Sequence, residues 1–223
     1  MADSPLTKVY RRLFDAFGPQ HWWPGETPFE VIVGAVLTQN TNWQNVERAM
    51  ANLRDADVLD PRALSHVPVE ELEELIRPAG YFRVKAKRLR SLLEFIMDRY
   101  NGDLDVMFQT SLSDLRCQLL EVNGIGPETA DSILLYAGKL PTFVVDAYTF
   151  RVFCRHGWIG FDADYHQLQD YIQGALPQEV PLYNEYHALL VRLGKDFCRK
   201  SKPKCDLCPL RAMLPKGGPL EPE

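Results

Sequence analysis

Three cysteines stand close together near the C-terminus, at Cys198, Cys205 and Cys208. In a reducing compartment such a group indicates a metal site, and the odd total of five cysteines excludes complete pairing into disulfides. The other two, Cys117 and Cys154, lie alone in apolar stretches, which predicts small core residues.

The segment from Leu119 to Asp131 predicts a helix, a tight turn and a second helix. Gly124 and Gly126 permit a turn that side chains would obstruct, and Pro127 suits the first position of the next helix. Backbone N–H groups at that helix start, with the helix dipole behind them, form an anion site that could hold a DNA phosphate. The same pattern also fits an ordinary corner between two helices.

Twenty residues after Gly126, Asp146 precedes another helical stretch. An aspartate there is commonly an N-cap. The alternative role is catalytic, with the carboxylate stabilising a sugar cation or orienting a water molecule.

The elements that must position these residues are helical almost throughout. Apolar residues recur at helical spacing over 89–100, and Asn101 with Gly102 predicts the end of that helix. Similar faces occur at 29–38, 43–53, 112–122, 129–137, 148–155 and 182–193. The only strand-like run, 142–145, is too short to found a sheet. We therefore expect an all-α protein of about ten short helices, with a disordered tail from Pro215.

Together these features resemble the endonuclease III family, the helix-hairpin-helix Gly/Pro-Asp superfamily of DNA base-excision glycosylases. The matches are the hairpin at 122–131, the segment 144–146, the segment 37–41 in the first core helix, and the cysteine tail. The resemblance, over roughly 24–208, implies two helical lobes with a DNA-binding cleft between them. The first would be a six-helix barrel domain over 26–135, with the helix-hairpin-helix at about 112–138. The second would combine 1–25 and 136–223 and carry a Cys-rich, iron–sulfur-type loop at 198–208.

The resemblance also implies a flipped-out base and Asp146 as the catalytic carboxylate. Bifunctional members form a Schiff base through a lysine in the second hairpin helix, where this chain has Glu128. A carboxylate cannot form an imine, so we expect a monofunctional enzyme without AP-lyase activity, unless Lys139 substitutes. Adenine-excising members carry a glutamate five residues before the glutamine of the first core helix. This chain has Gly34 there, so we do not expect it to excise adenine from mismatches.

The sequence is most similar to the 3-methyladenine DNA glycosylases of endonuclease III type, at 22–24, 29–30, 34–41, 77–81, 85–89 and 126–131. A 3-methylated adenine is cationic, so it needs little acid assistance to leave and binds well between aromatic faces. Trp22, Trp23 and Trp43 fall where related enzymes place base-stacking aromatics, and we expect Lys195 beside them. Any single tryptophan could equally be packed in the core.

In the resulting mechanism Gln39 or its loop fills the gap in the duplex, Asp146 stabilises the oxocarbenium ion, and Glu128 tunes the pocket. Two other classes of function stay open. One is a glycosylase for uracil, mismatched thymine or oxidised pyrimidines, and the other is a non-catalytic helix-hairpin-helix DNA-binding protein.

Cys198, Cys205 and Cys208 match the first three ligands of the family's [4Fe–4S] module, and the fourth falls at Leu214. Three interpretations follow: a cluster with an open iron, a zinc site completed by a distant Cys or His, and a loop without metal.

The net charge of −5 argues, as an average, against a nucleic-acid partner. Two segments reverse it locally: 83–90 has five basic residues and no acidic one, and 192–204 has six basic residues and one acidic. With the hairpin glycines, these segments predict contacts to double-stranded DNA that contains a damaged base, at Arg83, Lys85, Lys87, Arg199 and Lys200. Apolar runs are too short to span a membrane and the N-terminus lacks a signal-peptide core, so we expect a cytoplasmic, nucleoid-associated monomer.

Overall fold

The computed structural model describes residues 4–22 and 25–222, and every regular element in these ranges is helical. The expectation of an all-α fold is confirmed. The α-helices are α1 (Pro5–Phe17), α2 (Pro28–Leu37), α3 (Trp43–Asp55), α4 (Pro61–His66), α5 (Val69–Leu75), α6 (Phe82–Tyr100), α7 (Leu104–Phe108), α8 (Leu112–Glu121), α9 (Pro127–Ser132), α10 (Ala147–Arg155), α11 (Tyr165–Ala175) and α12 (Val180–Asp196). A π-helical turn, Ile133–Ala137, continues α9, and 3₁₀ turns lie at Arg77–Ala79, Cys205–Leu207 and Arg211–Met213.

Short polar side chains fix where most of these helices begin. Ser4, Thr27, Asn42, Asp60 and Asp164 each accept a backbone N–H from the first turn of the helix that follows. Such a cap satisfies a donor that the helix itself leaves without a partner. The starts of these helices are therefore determined by residues that are neighbours in the sequence, without the help of tertiary contacts.

The chain divides into two compact units, Met1–Trp22 with Pro141–Glu223 and Trp23–Leu140. In the second unit α2 is apolar on all sides except at Glu30, which pairs with Arg54, and each of its residues from Phe29 to Leu37 is buried. It packs against α3, α6, α9 and the π-helical turn, so it is the centre of that core. In the first unit α12 packs against α1 and α10.

Two expectations from the sequence are wrong. Cys117 is exposed on α8, because it lies on the solvent side of that helix and not on the face of Leu115 and Leu119. The disorder expected from Pro215 on is not found over 215–222, because Arg155 binds this segment: the Leu220 N–H donates to the Arg155 carbonyl at 3.0 Å and Glu221 pairs with the Arg155 guanidinium.

The run at 142–145 forms no strand and leads, buried, into α10. Of the helices in residues 4–22 and 25–222, none is long and apolar enough to cross a membrane.

Candidate active site

Asp146 is the N-cap of α10, and its two carboxylate oxygens face different partners. Oδ1 accepts the Thr149 backbone N–H at 2.7 Å, whereas Oδ2 lies 3.6 Å from Nε2 of His187 on α12. The side chain is 11% exposed. Since capping uses one oxygen only, the structural and the catalytic interpretations of Asp146 are compatible.

The surroundings of Asp146 keep its carboxylate charged. Burial by itself raises the pKa of Asp146, but His187 and the backbone and side chain of Thr149 lower it, and their combined effect brings the pKa below its ordinary value. A buried anion is stable only when such partners compensate for the lost hydration. The site therefore presents a negative charge in a poorly hydrated place, as is needed to stabilise a developing sugar cation.

Aromatic rings surround the histidine that faces Asp146. His187 is 5% exposed, and its ring packs edge-on against Trp22 and Phe143, with centroids 6.2 and 6.3 Å away. The Lys195 ammonium lies 5.9 Å from the centroid of the Trp22 ring. Thus two residues predicted for the base pocket, Trp22 and Lys195, lie together, and one contacts the partner of Asp146.

Sequence reasoning missed His187. It is one of five histidines in the chain and lies among the apolar residues at helical spacing in 182–193, so its burial could have been predicted. Its proximity to Asp146 could not, because 41 residues separate the two and only the packing of α10 against α12 joins them.

Trp43, another tryptophan of the predicted pocket, is placed differently. Trp43 is the first residue of α3 in the unit Trp23–Leu140, where it is half-buried and its indole N–H donates to Glu47 at 2.8 Å. Trp23 lies outside the described residues. For Trp43 and Trp23 the base-stacking role stays a prediction.

The hairpin joins α8 to α9 through a turn in which only one glycine is required by the backbone. Gly124 has φ +85°, and a Cβ there would overlap the aliphatic part of Arg88. Gly126 has φ −93°, which any residue adopts, and a Cβ there would meet no atom within 4 Å. The expectation that the turn itself needs both glycines is therefore corrected, because Gly126 borders open space.

Gln39 lies in the loop after α2, with its side chain tied to the hairpin. Its Nε2 donates to Thr129 Oγ1 at 2.8 Å and to the Gly124 carbonyl at 3.3 Å, and its Oε1 accepts from Arg88. The neighbouring Asn40 is exposed and left-handed, with φ +54°. Insertion of Gln39 into DNA would require these contacts to break, and its role stays a prediction.

Lys85 does not form part of a DNA-binding surface, and that prediction is wrong. Its side chain is 1% exposed, and its ammonium donates to the carbonyls of Leu37 at 2.9 Å and Ala79 at 2.7 Å. Burial lowers the pKa of Lys85 to about 8. Lys85 lies four residues before Leu89, so the helical spacing places it on the buried face of α6, a signal that outweighs the basic composition of the segment.

The remaining basic residues of the prediction are exposed. Arg83 is 79% exposed and 3.7 Å from Glu73, and Lys87 points to solvent. Arg199 and Lys200 are exposed as well, and Arg155 holds the carbonyls of both. Their DNA contacts stay predictions, as does the pocket role of Glu128, which is exposed in the first turn of α9.

The three clustered cysteines line one small cavity. Cys198, Cys205 and Cys208 border it, and so does Leu214, the residue at the position of the missing fourth cysteine. The Arg155 guanidinium lies 3.7 Å from the Cys198 sulfur. Within the part of the chain that the structure describes, no group of three or more His, Cys, Asp or Glu side chains is arranged to hold a metal ion.

Comparisons with known proteins agree with this architecture. The profile of the HhH-GPD superfamily of base excision DNA repair proteins matches residues 33–178. A candidate DNA repair glycosylase of Methanocaldococcus jannaschii is 49% identical, with 92% of this chain and 94% of that protein covered.

Two solved structures are also similar. One is a non-covalent endonuclease III–DNA complex, with a TM-score of 0.81 and 25% identity over 95% of this chain and 94% of that one. The other is the Helicobacter pylori 3-methyladenine DNA glycosylase bound to 1,N6-ethenoadenine, with a TM-score of 0.74 and 29% identity over 84% and 96% of the two chains. The chain belongs to the HhH-GPD superfamily of base excision DNA repair proteins and is a DNA glycosylase of that family.

Proposed function

We propose that this chain is a monofunctional glycosylase that hydrolyses the N-glycosidic bond of a flipped-out alkylated base of the 3-methyladenine type. The observation that carries the proposal is the buried, ionised Asp146, whose Oδ2 faces His187 and, through it, the ring of Trp22. The likeness to a 3-methyladenine DNA glycosylase at 29% identity supports the choice of lesion.

The chemistry follows from the charge of the lesion. A 3-methylated adenine is already cationic, so it leaves as a neutral base with the electron pair of the glycosidic bond and needs no general acid. The positive charge then moves to the sugar, where the Asp146 carboxylate stabilises it. Water adds to C1′ and its proton passes to Asp146 or to solvent, which completes the hydrolysis.

A covalent lyase mechanism is not favoured by the residues of the second hairpin helix. Glu128 occupies the position of the lysine nucleophile and carries no amine. The amine of Lys139 donates to the Tyr136 carbonyl at 2.8 Å. We therefore expect release of the base without strand nicking and without a borohydride-trapped adduct.

We assign the role of DNA binding to the hairpin and to the exposed basic residues. The open space at Gly126 would let a phosphate approach the start of α9, and Arg83, Lys87, Arg199 and Lys200 would contact the backbone. Since Gln39 is held by the hairpin, we assign the gap-filling role to its loop, where Asn40 is the exposed neighbour. The expected partner is duplex DNA with a damaged base, bound by a monomer.

The cysteine-lined cavity fits an iron–sulfur cluster better than it fits an empty loop. Three thiols converge on one cavity, and a buried guanidinium contacts one of them. We propose that Cys198, Cys205 and Cys208 hold a [4Fe–4S] cluster. When bound, such a group would tie the loop to α10 and supply a one-electron redox centre.

A second candidate is a glycosylase for uracil or mismatched thymine, and one contact favours it. The Lys195 ammonium already lies over the Trp22 ring, where a cationic base would be repelled and an uncharged one would not. The two candidates thus differ in the charge of the base beside Trp22.

An excision assay separates them. The protein is incubated with methylated duplex DNA and with duplexes that contain G·U or G·T, and the released bases are measured by chromatography. The proposal predicts release of 3-methyladenine without strand cleavage. Efficient uracil or thymine release without methylated bases would overturn it in favour of the second candidate, and binding without release of any base would show a non-catalytic protein.

A further inference from the structure

The cavity of the three cysteines lacks the fourth thiolate that a [4Fe–4S] cluster ordinarily takes, but a different donor borders it. His156, the residue directly after α10, lines this cavity together with Cys198, Cys205, Cys208 and Leu214. We propose that the Nε2 atom of His156 is the fourth ligand of the cluster, in place of the cysteine that Leu214 replaces.

The hydrogen bond on the other side of the ring defines which nitrogen can bind metal. Nδ1 of His156 lies 2.7 Å from the Val152 carbonyl oxygen, which can only accept, so Nδ1 carries the proton. In the neutral ring Nε2 then has the free lone pair. A backbone carbonyl on the far nitrogen is the arrangement that usually orients metal-binding histidines.

The Nε2 atom makes no hydrogen bond of ordinary geometry among the described residues. His156 is only 6% exposed, and the nearby Leu210 backbone, a weak partner of the ring, would have to give way to the metal. The ring stacks on Trp158, with centroids 4.5 Å apart and planes at 25°. A buried, oriented nitrogen without a hydrogen bond is costly unless it binds something.

The arrangement favours a cluster over a single ion. No three of the candidate side chains in residues 4–22 and 25–222 are arranged around one metal position, although four of them border the same cavity. A four-iron cluster interposes its own iron and sulfide atoms, so its ligands stand farther apart than those of one ion. Histidine in place of a thiolate also removes a negative charge, which raises the reduction potential, as it does in Rieske centres.

The experiment examines the metal centre and does not depend on base excision. Full-length protein is produced with ⁵⁷Fe and purified anaerobically, once with ordinary and once with ¹⁵N-labelled histidine. Mössbauer spectra reveal whether one iron of the four differs from the others. Pulsed EPR of the one-electron oxidised or reduced cluster reveals nitrogen coupling. We expect about four iron and four sulfide per chain and a histidine coupling that changes with the isotope.

Four variants sharpen the test. His156→Cys restores four thiolates, so it should retain the iron, lose the histidine coupling and have a lower reduction potential. His156→Ala should lose most of its iron on exposure to a chelator, and adding Leu214→Cys to it should restore retention. His166→Ala, which removes an exposed histidine on α11, should behave as the unaltered protein.

A cluster without nitrogen coupling, or with the same spectrum and iron content in His156→Ala, would overturn the assignment of His156. So would one equivalent of zinc without sulfide, or purified protein that holds no metal. None of these results would alter the assignment of Asp146.

Discussion

Asp146 and Lys85 are both ionisable, both removed from solvent and both shifted to a lower pKa, yet the shift has opposite consequences. For the carboxylate a lower pKa preserves the charge, because His187 and Thr149 stabilise the anion. For the amine a lower pKa means that the positive charge is lost at a pH closer to neutral. Burial penalises the cation, and only backbone carbonyls compensate for the lost hydration. The first group keeps its charge, whereas the second joins the ends of two helical segments.

The largest effect is expected from Asp146→Asn. The amide oxygen can still accept the Thr149 N–H, and Asn is as good an N-cap as Asp, so folding should be unchanged. The negative charge is lost, and excision should fall roughly 10²–10⁴-fold, as on removal of a catalytic acid–base group. Single-turnover base release measures the rate, and thermal unfolding is the control. An active Asp146→Asn would contradict the proposed mechanism.

Lys85→Met tests the other half of the comparison. The Leu37 and Ala79 carbonyls would be left buried without their donor, at a cost of about 1–3 kcal/mol for each unsatisfied group. Denaturant unfolding should show this loss, while single-turnover excision per folded molecule should be retained. Lys87→Met, at an exposed position on the same helix, should change stability by less than about 0.5 kcal/mol. Equal stabilities of the two variants would refute a structural role for Lys85.

His187→Gln should alter the pH dependence of excision. His187 lowers the pKa of Asp146 against the effect of burial, so its removal raises that pKa and moves the acid limb of the single-turnover rate to higher pH. At higher pH, where the carboxylate is ionised again, much of the activity should return. His166→Gln is the matched control. An unchanged acid limb would show that His187 only packs against Trp22 and Phe143.

The helical elements were predictable because their signals are local. Caps, prolines and the stop at Asn101 lie within a few residues of the ends they define, and α6 ends at Tyr100 as expected. The cavity of the three cysteines and the partner of Asp146 could not be predicted. His156 reaches the cysteines, and His187 reaches Asp146, only through tertiary packing. Lys85 is an intermediate case, because its helical spacing from Leu89 would have indicated burial, whereas the basic segment around it led to the predicted DNA contact.

A further expected effect is the pH dependence of stability that Lys85 contributes. Its pKa is about 8 in the folded chain and about 10.4 in the unfolded chain, so between these values the unfolded state binds more protons. Stability therefore rises with pH across this window, relative to a chain without the amine. The neutral amine still has two N–H donors, one for each carbonyl, so both hydrogen bonds survive deprotonation. Measured from pH 7.5 to 10.5, the stability difference between the unaltered protein and Lys85→Met should widen, while Lys87→Met should follow the unaltered protein. A difference that stays constant would mean that the amine is hydrated and that Lys85 differs little from an exposed lysine.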